Sequence, residues 1–276
     1  MIEKVDLVMW TKNGEKFLPK VFKRIDEVIP QKVINKKILV DDHSTDNTIE
    51  IAKNFKWDVY KNPSTGIPSG ANEALRHVET EFFISIEQDI LLAKDWWTKI
   101  PRHMEDAKVA VAQGIRLPTH PILRKLVEYS EYDKALARRN IKEQTSIANS
   151  IDNNIYRTDI IKRLGGFPIT CPLFTDGYLF DMVESSGFRW IVDSRVVSEH
   201  IRPGLLYELQ HSYAYTIRRR RDLETNLFNM LRILSFSPLR ALHIVYKKRC
   251  PELFFFYPLF RLVMLKAFLD RKKLGL

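Results

Sequence analysis

Several carboxylates in this chain stand just past short apolar runs, where a strand would deliver them to one edge of a sheet. Glu87 and Asp89 follow Phe82–Ile86, and Asp41 and Asp42 follow Lys37–Val40. Thr11 stands just past the run Lys4–Met9. Residues two apart on a strand point to the same face, so Glu87 and Asp89 present their oxygens together. Hard oxygen donors of this kind suit a divalent cation such as Mn2+ or Mg2+. Such a cation acts as a Lewis acid on a departing diphosphate, and Asp89 is its natural ligand. The alternative for Asp89 is a helix N-cap, a job that Asp95 can also fill.

The elements that position these groups are legible in the apolar spacing. Phe17, Leu18, Val21, Phe22, Ile25 and Val28 recur at helical intervals within 15–29, and Pro30 closes that helix. Further helices are expected over 47–55, 69–78, 123–137 and 175–185. Strands are expected over 4–9, 37–40, 57–60, 82–86, 109–113, 189–192 and 194–197. Strand and helix alternate four times in the first 90 or so residues, the pattern of a doubly wound, mostly parallel sheet. Ligands of such sheets bind outside the carboxyl ends of the strands, where Thr11, Asp41-Asp42 and Glu87/Asp89 fall.

The 276 residues, 45% hydrophobic, suffice for one large α/β domain and an appendage. Two widely separated cysteines, Cys171 and Cys250, argue against a disulfide framework or a cysteine-based zinc site. No signal peptide is visible at the start, so a cytoplasmic setting is expected. The net charge of +10 is uneven: residues 201–276 hold 15 Lys+Arg against 5 Asp+Glu, and residues 1–200 hold 29 of each. A neutral globular part followed by a basic part implies two jobs.

The order of these motifs resembles that of the family 2 glycosyltransferases, which have the GT-A fold. Ile38–Thr48 (ILVDDHSTDNT) is similar to the family's VVDDGSTDGT stretch, and Leu7–Asn13 (LVMWTKN) to its IVIPTYN opening. Gly66–Leu75 (GIPSGANEAL) resembles the stretch ending in an asparagine before the metal strand, and Glu87-Gln88-Asp89 stands where the family has Asp-x-Asp. The resemblance covers residues 4–200 or so. It implies an inverting transfer from a GDP- or UDP-sugar, with a divalent metal as cofactor. Thr11, Asp41, Asp42, Asn72 and Glu87 would contact the nucleotide-sugar, and Asp89 the metal. Glu87 replaces the usual aspartate, and Ala71 stands where many members have an arginine. Arg202 or Arg116 would then neutralise the diphosphate. Thr175-Asp176 resembles the Glu-Asp motif whose aspartate is the catalytic base, and Asp176 also suits a helix N-cap. His200 stands where related enzymes place a metal- or phosphate-contacting histidine, although a lone histidine also suits a structural role. Asn153 and Asn154 resemble the acceptor-side polar stretch.

The expected division is a GT-A catalytic domain over 1–204 and a basic, amphipathic helical region over 205–276. The latter carries Arg218–Arg221, Lys247-Lys248-Arg249 and the run Leu253–Leu269, followed by Arg271-Lys272-Lys273. That run is 17 residues long, at the short edge of a span, and includes Pro258, Arg261 and Lys266. Each charge at a bilayer centre costs about 2.5–3.5 kcal/mol. An interfacial helix on the anionic inner face of the cell membrane is therefore the expectation. The alternative is a helical subdomain that packs on the core or forms a homodimer. Membrane docking implies a lipid-linked or glycolipid acceptor, with GDP-mannose as first donor. The runner-up is a polyprenyl-phosphate sugar synthase. Outside the enzyme class stand an inactive sugar-nucleotide-binding protein and a nucleic-acid-binding protein. Nucleic acid is not an expected partner, because no nucleic-acid fold accompanies the basic run.

Overall fold

The computed structural model describes residues 2–129, 149–169, 175–217 and 226–273. Cys171 and the Arg218–Arg221 run lie outside the described residues. The chain divides into two compact units, Met1–Leu117 with Lys142–Ile201, and Pro118–Ile141 with Arg202–Leu276. The second unit thus takes in 118–141, which a linear division at residue 204 leaves with the catalytic part. Its core gives the reason: Leu123 and Leu126 are buried with Ala241, Ile244, Leu253 and Phe256.

The first unit is built on strands β1 (Val5–Thr11), β2 (Ile34–Asp41), β3 (Asp58–Lys61), β4 (Phe82–Ile86), β5 (Ile90–Leu91), β6 (Val109–Pro118), β7 (Asn153–Arg157) and β8 (Arg189–His200). They form one sheet in the order β3-β2-β1-β4-β7-β6-β8-β5. The β3-β2-β1-β4 half is parallel, and β7 joins β4 antiparallel. Helices α1 (Leu18–Val28), α2 (Thr48–Asn54), α3 (Ile67–Arg76), α4 (Trp96–Lys99), α6 (Thr158–Arg163) and α7 (Thr175–Ser185) complete this unit; α5 (Pro121–Val127) belongs to the other.

Strand alternation divides the core. Val5, Leu7 and Met9 of β1 pack with Leu18, Val21, Phe22 and Ile25 of α1 on one face. Val8 and Trp10 pack with Ala71, Ala74 and Leu75 of α3 on the other. Each large side chain buried this way contributes about 1.5–3 kcal/mol. β5, β7, α4 and α6 add to the expected elements; of the helix expected over 123–137, residues 130–137 lie outside the described residues; and two expected strands are one. Segments 189–192 and 194–197 are a single strand, β8, because Asp193 does not break the run. It is buried within β8, where its carboxylate accepts hydrogen bonds from the Arg195 backbone N–H (3.0 Å) and guanidinium (2.7 Å) and contacts His103 Nε2 (3.0 Å). A paired carboxylate can stay in a strand that an unpaired one would leave.

The second unit adds helices α8 (Leu205–Ile217), α9 (Leu227–Ser235), α10 (Ser237–Lys248) and α11 (Leu253–Lys273). Cys250 is a buried free thiol. Among the described residues no helix is long and apolar enough to cross a membrane.

Candidate active site

The β1–α1 and β2–α2 loops are stitched together side chain to backbone. The Asn13 N–H donates to Ser44 Oγ (2.8 Å), and Thr45 N–H donates back to Asn13 Oδ1 (2.9 Å). Gly14 N–H donates to Thr48 Oγ1 (2.7 Å), and Glu15 N–H to Asp46 Oδ2 (3.1 Å). Asn13 and His43 hold positive φ values of 50° and 60°, conformations that such loops must over-determine to keep. A Cβ on Gly14 would lie 2.7 Å from Thr11 Oγ1 and 3.0 Å from Gln88 Oε1, so a side chain there would have to displace the Thr11–Gln88 contact. Most of the Asp41–Thr48 stretch is therefore scaffold. Asp41 itself is buried and caps the Ser44 N–H (3.0 Å).

Asp42 in that stretch is half-buried and carries its own set of donors. Asn62 Nδ2 (2.9 Å) and the Gly66 N–H (3.2 Å) donate to it, and Lys12 Nζ stands 3.7 Å away, half exposed. Thr11 is tied through its hydroxyl to Gln88 Oε1, which also accepts from the Lys12 N–H (3.0 Å).

Past β4 the chain carries a concentrated set of carboxylates. Trp10 Nε1 reaches Glu87 Oε1 at 3.4 Å. The Glu87 N–H donates to the Asp152 carbonyl (3.1 Å), because β7 runs antiparallel to β4 and Asn153 pairs with Ile86. Burial and the neighbouring charges of Asp152 and Asp89 push the Glu87 carboxyl up to about 8, against the pull of Arg116 and the Trp10 hydrogen bond. Arg116, on β6, forms an ion pair with buried Asp152, whose Oδ1 also accepts from Ser150 Oγ (2.7 Å) and Asn153 Nδ2 (2.8 Å). The carboxyl of Asp176, in the first turn of α7, is raised from its ordinary value by burial. The Gly177 N–H and Arg116 oppose that rise, and Asp152 adds to it. Glu87, Asp89, Asp152 and Asp176 thus share one electrostatic field, with Arg116 as its cation.

Asp89 ends this segment against β8. Ile90 pairs with His200, Ile201 N–H donates to the Asp89 carbonyl (2.8 Å), and His200 Nε2 lies 3.0 Å from Asp89 Oδ2. Among the described residues no cluster of three or more His, Cys, Asp or Glu side chains is arranged to hold a metal. The Asp89–His200 pair supplies one hard oxygen and one imidazole, a donor set that fits a divalent cation whose other ligands come from a bound diphosphate.

Comparison with known proteins decides the family. A sequence model for glycosyl transferase family 2 matches residues 6–165, more than half of the chain. The protein belongs to that family. No curated protein matches it in sequence. Among solved structures it is similar to the mannosyltransferase PcManGT from Pyrobaculum calidifontis in complex with GDP-Man and Mn2+. The identity is 19%, the match covers 98% of this chain and 75% of that one, and the TM-score is 0.58. S. aureus TarS 1–349 matches at 15% identity over 99% of this chain and 92% of that one, with a TM-score of 0.53. The same TarS fragment in complex with UDP-GlcNAc matches at 17% identity over 88% and 73%, with a TM-score of 0.50. These likenesses carry the GT-A fold.

Not every residue expected at the site of this glycosyltransferase is available there. Asn153 and Asn154 are fully buried and spent on their own sheet. Asn153 Oδ1 accepts from the Gly114 N–H (3.1 Å), and Asn154 Nδ2 donates to the Ser150 carbonyl (2.6 Å). In this fold Asn153 also donates to the Asp152 carboxylate, and Asn154 accepts from the Asn153 N–H. Asn72 uses both amide atoms on Phe167, donating to its carbonyl (2.7 Å) and accepting from its N–H (2.8 Å). It clamps Phe167, ahead of α7. Arg202 lies in the helical unit, 3.9 Å from Glu208 and over the Tyr207 ring. A cavity of about 670 Å3 lined by Ser64, Thr65, Ser69, Asn72, Glu73 and Gly166 is bordered by none of the four carboxylates. Sequence reasoning missed Asp152, Lys12 and Gln88. The only signals were that Asp152 directly precedes the asparagine pair, and that Lys12 and Gln88 adjoin residues already singled out.

Proposed function

We propose that this family 2 glycosyltransferase is an inverting hexosyltransferase. It would use a nucleoside-diphosphate sugar, GDP-mannose first and UDP-sugars next, and a hydroxyl of a lipid-linked or glycolipid acceptor at the inner membrane surface. The observation that carries the reading is the shared field of Glu87, Asp89, Asp152, Asp176 and Arg116, with His200 on Asp89. Asp42, with Lys12 beside it, binds the nucleoside end together with Thr11. Asp89 and His200 would hold a divalent cation, Mn2+ or Mg2+, which when bound neutralises the diphosphate leaving group. The fold neighbour solved with GDP-Man and Mn2+ supports both the donor and the metal.

Asp176 takes the proton of the acceptor hydroxyl. Its raised affinity for protons suits that role, since a carboxylate of ordinary pKa is a weak base toward an alcohol. Arg116, steadied by Asp152, is a cation whose charge acts on this base, and it offsets charge on the donor side. The test is donor hydrolysis across GDP- and UDP-sugars with Mn2+, Mg2+ or EDTA. Slow release of one nucleoside diphosphate, lost with EDTA and with Asp89→Ala, supports the reading. Absence of both hydrolysis and metal-dependent nucleotide binding sinks it.

A further inference from the structure

A helix that packs once in water buries one apolar stripe and shows a polar back. Helices of the second unit do not follow that pattern. On α10, Ser237, Ala241 and Ile244 are buried, while Leu239, Leu242 and Tyr246 are exposed to 67%, 57% and 82%. Both sets keep helical spacing, so α10 is apolar on two sides. On α11, Leu253, Phe256 and Tyr257 are buried while Phe255, Leu259 and Leu262 are exposed at intervals of four and three. Among the described residues, 18 large hydrophobic side chains are exposed; three (Ile49, Ile67 and Ile169) lie in the first unit and 15 in the second. Scattered exposure is ordinary, but this concentration on consecutive helices marks a surface that meets another phase.

Charge says which phase. From Asn226 to Cys250 the chain has five cations, Arg232, Arg240, Lys247, Lys248 and Arg249, and no Asp or Glu. Arg232, Arg240, Lys247 and Arg249 are exposed. A second copy of the same segment would bring five more positive charges to the interface. An anionic headgroup layer complements them, at about 1 kcal/mol per basic residue near the surface. Tyr246 beside Lys247 has the aromatic-and-basic pairing of an interfacial anchor.

On α9, Phe228 and Leu231 are exposed and no residue is buried. We propose that α9 and α10 form a monotopic docking surface that lies flat on an anionic bilayer, with Phe228, Leu231, Leu239, Leu242 and Tyr246 entering the acyl boundary and the 247–249 cations at the headgroups. The inference deepens the membrane placement of the proposed function and rests on it. It assigns that placement to the helix pair, and not to the longer apolar run in α11, which holds Arg261 and Lys266.

The test is co-sedimentation of the full chain with phosphatidylglycerol-containing or pure phosphatidylcholine vesicles. It compares the wild type with the triple variant Leu239→Ser, Leu242→Ser, Tyr246→Ser and the charge variant Lys247→Glu, Arg249→Glu. All five side chains are exposed, and thermal melts verify that the fold is kept. The expected result is binding to the anionic vesicles that falls at least about tenfold in each variant, with weak binding to phosphatidylcholine. Wild-type protein that stays in the supernatant, or a triple variant that pellets as well as the wild type, overturns the surface. So does a concentration-dependent dimer in sedimentation velocity that the triple variant abolishes without any vesicle binding. Donor hydrolysis on the same samples separates the two ideas. Vesicle binding without hydrolysis of any donor removes the proposed function and leaves the surface standing.

Discussion

Arg116 sits on the carboxylate of Asp152, and the pair is asymmetric: the Asp152 side chain is buried at 2% exposure while the Arg116 side chain keeps 35%. The buried carboxylate anchors a partly exposed arginine side chain. Asp152→Asn keeps the shape but removes the anchor charge. Breaking a buried pair costs about 3–5 kcal/mol, and the partial exposure of Arg116 puts this case lower, at about 1–3 kcal/mol. Denaturant unfolding measures that loss. Donor KM should rise as well, because the guanidinium is no longer held. An unchanged midpoint with an unchanged KM would show that the pair positions nothing.

The contact between Asp89 and His200 predicts a second pattern. If the two hold one cation, Asp89→Ala and His200→Ala should each weaken metal-dependent nucleotide binding, the aspartate variant more. Loss of the carboxylate should lower turnover by about a hundredfold or more, the scale of removing one preorganised electrostatic contact at the leaving group. Titration calorimetry of nucleoside diphosphate with and without Mn2+ reads this directly. Equal nucleotide affinity with and without metal in the wild type would contradict the assignment.

Gly166 offers a test of the clamp that Asn72 places on the loop before α7. Its φ is +84°, and a Cβ there would collide with Asn72 Oδ1. Gly166→Ala therefore pays both backbone strain and loss of the Asn72–Phe167 bonds, about 1–3 kcal/mol together. Asn72→Ala should cost less, since the glycine conformation survives. A thermal melt should rank the wild type above Asn72→Ala, and Asn72→Ala above Gly166→Ala.

What could be read ahead of the structure follows from locality. The α1 face and the ends of β1, β2 and β4 are local patterns, and Thr11, Asp42, Glu87 and Asp89 come out at one sheet edge because parallel strands place their ends there. Asp152 was illegible because its place depends on β7 running antiparallel to β4, a pairing between segments about 70 residues apart that no local spacing encodes. The burial of Asn153 and Asn154 was illegible for the same reason: polar residues read as exposed until the sheet closes over them. The helix at Pro121–Val127 looks like part of the catalytic domain along the chain, and only the burial of Leu123 and Leu126 against α10 and α11 assigns it elsewhere.

Asp176 carries the sharpest prediction, because two acceptor chemistries demand opposite outcomes. A hydroxyl must lose its proton to a base, so Asp176→Asn should lower turnover by about 10²–10⁴-fold. A phosphate acceptor is already ionised, and the same variant would then stay near normal. The pH profile adds a sign. The base works only when deprotonated, and burial raises its proton affinity, so the rate should fall, as pH drops, at a higher pH than an unperturbed aspartate would set. Arg116 lowers that affinity and Asp152 raises it. Arg116→Gln should therefore shift the acid limb of kcat/KM to higher pH, and Asp152→Asn should shift it to lower pH. Shifts in the same direction for both variants would place the titrating group elsewhere than Asp176.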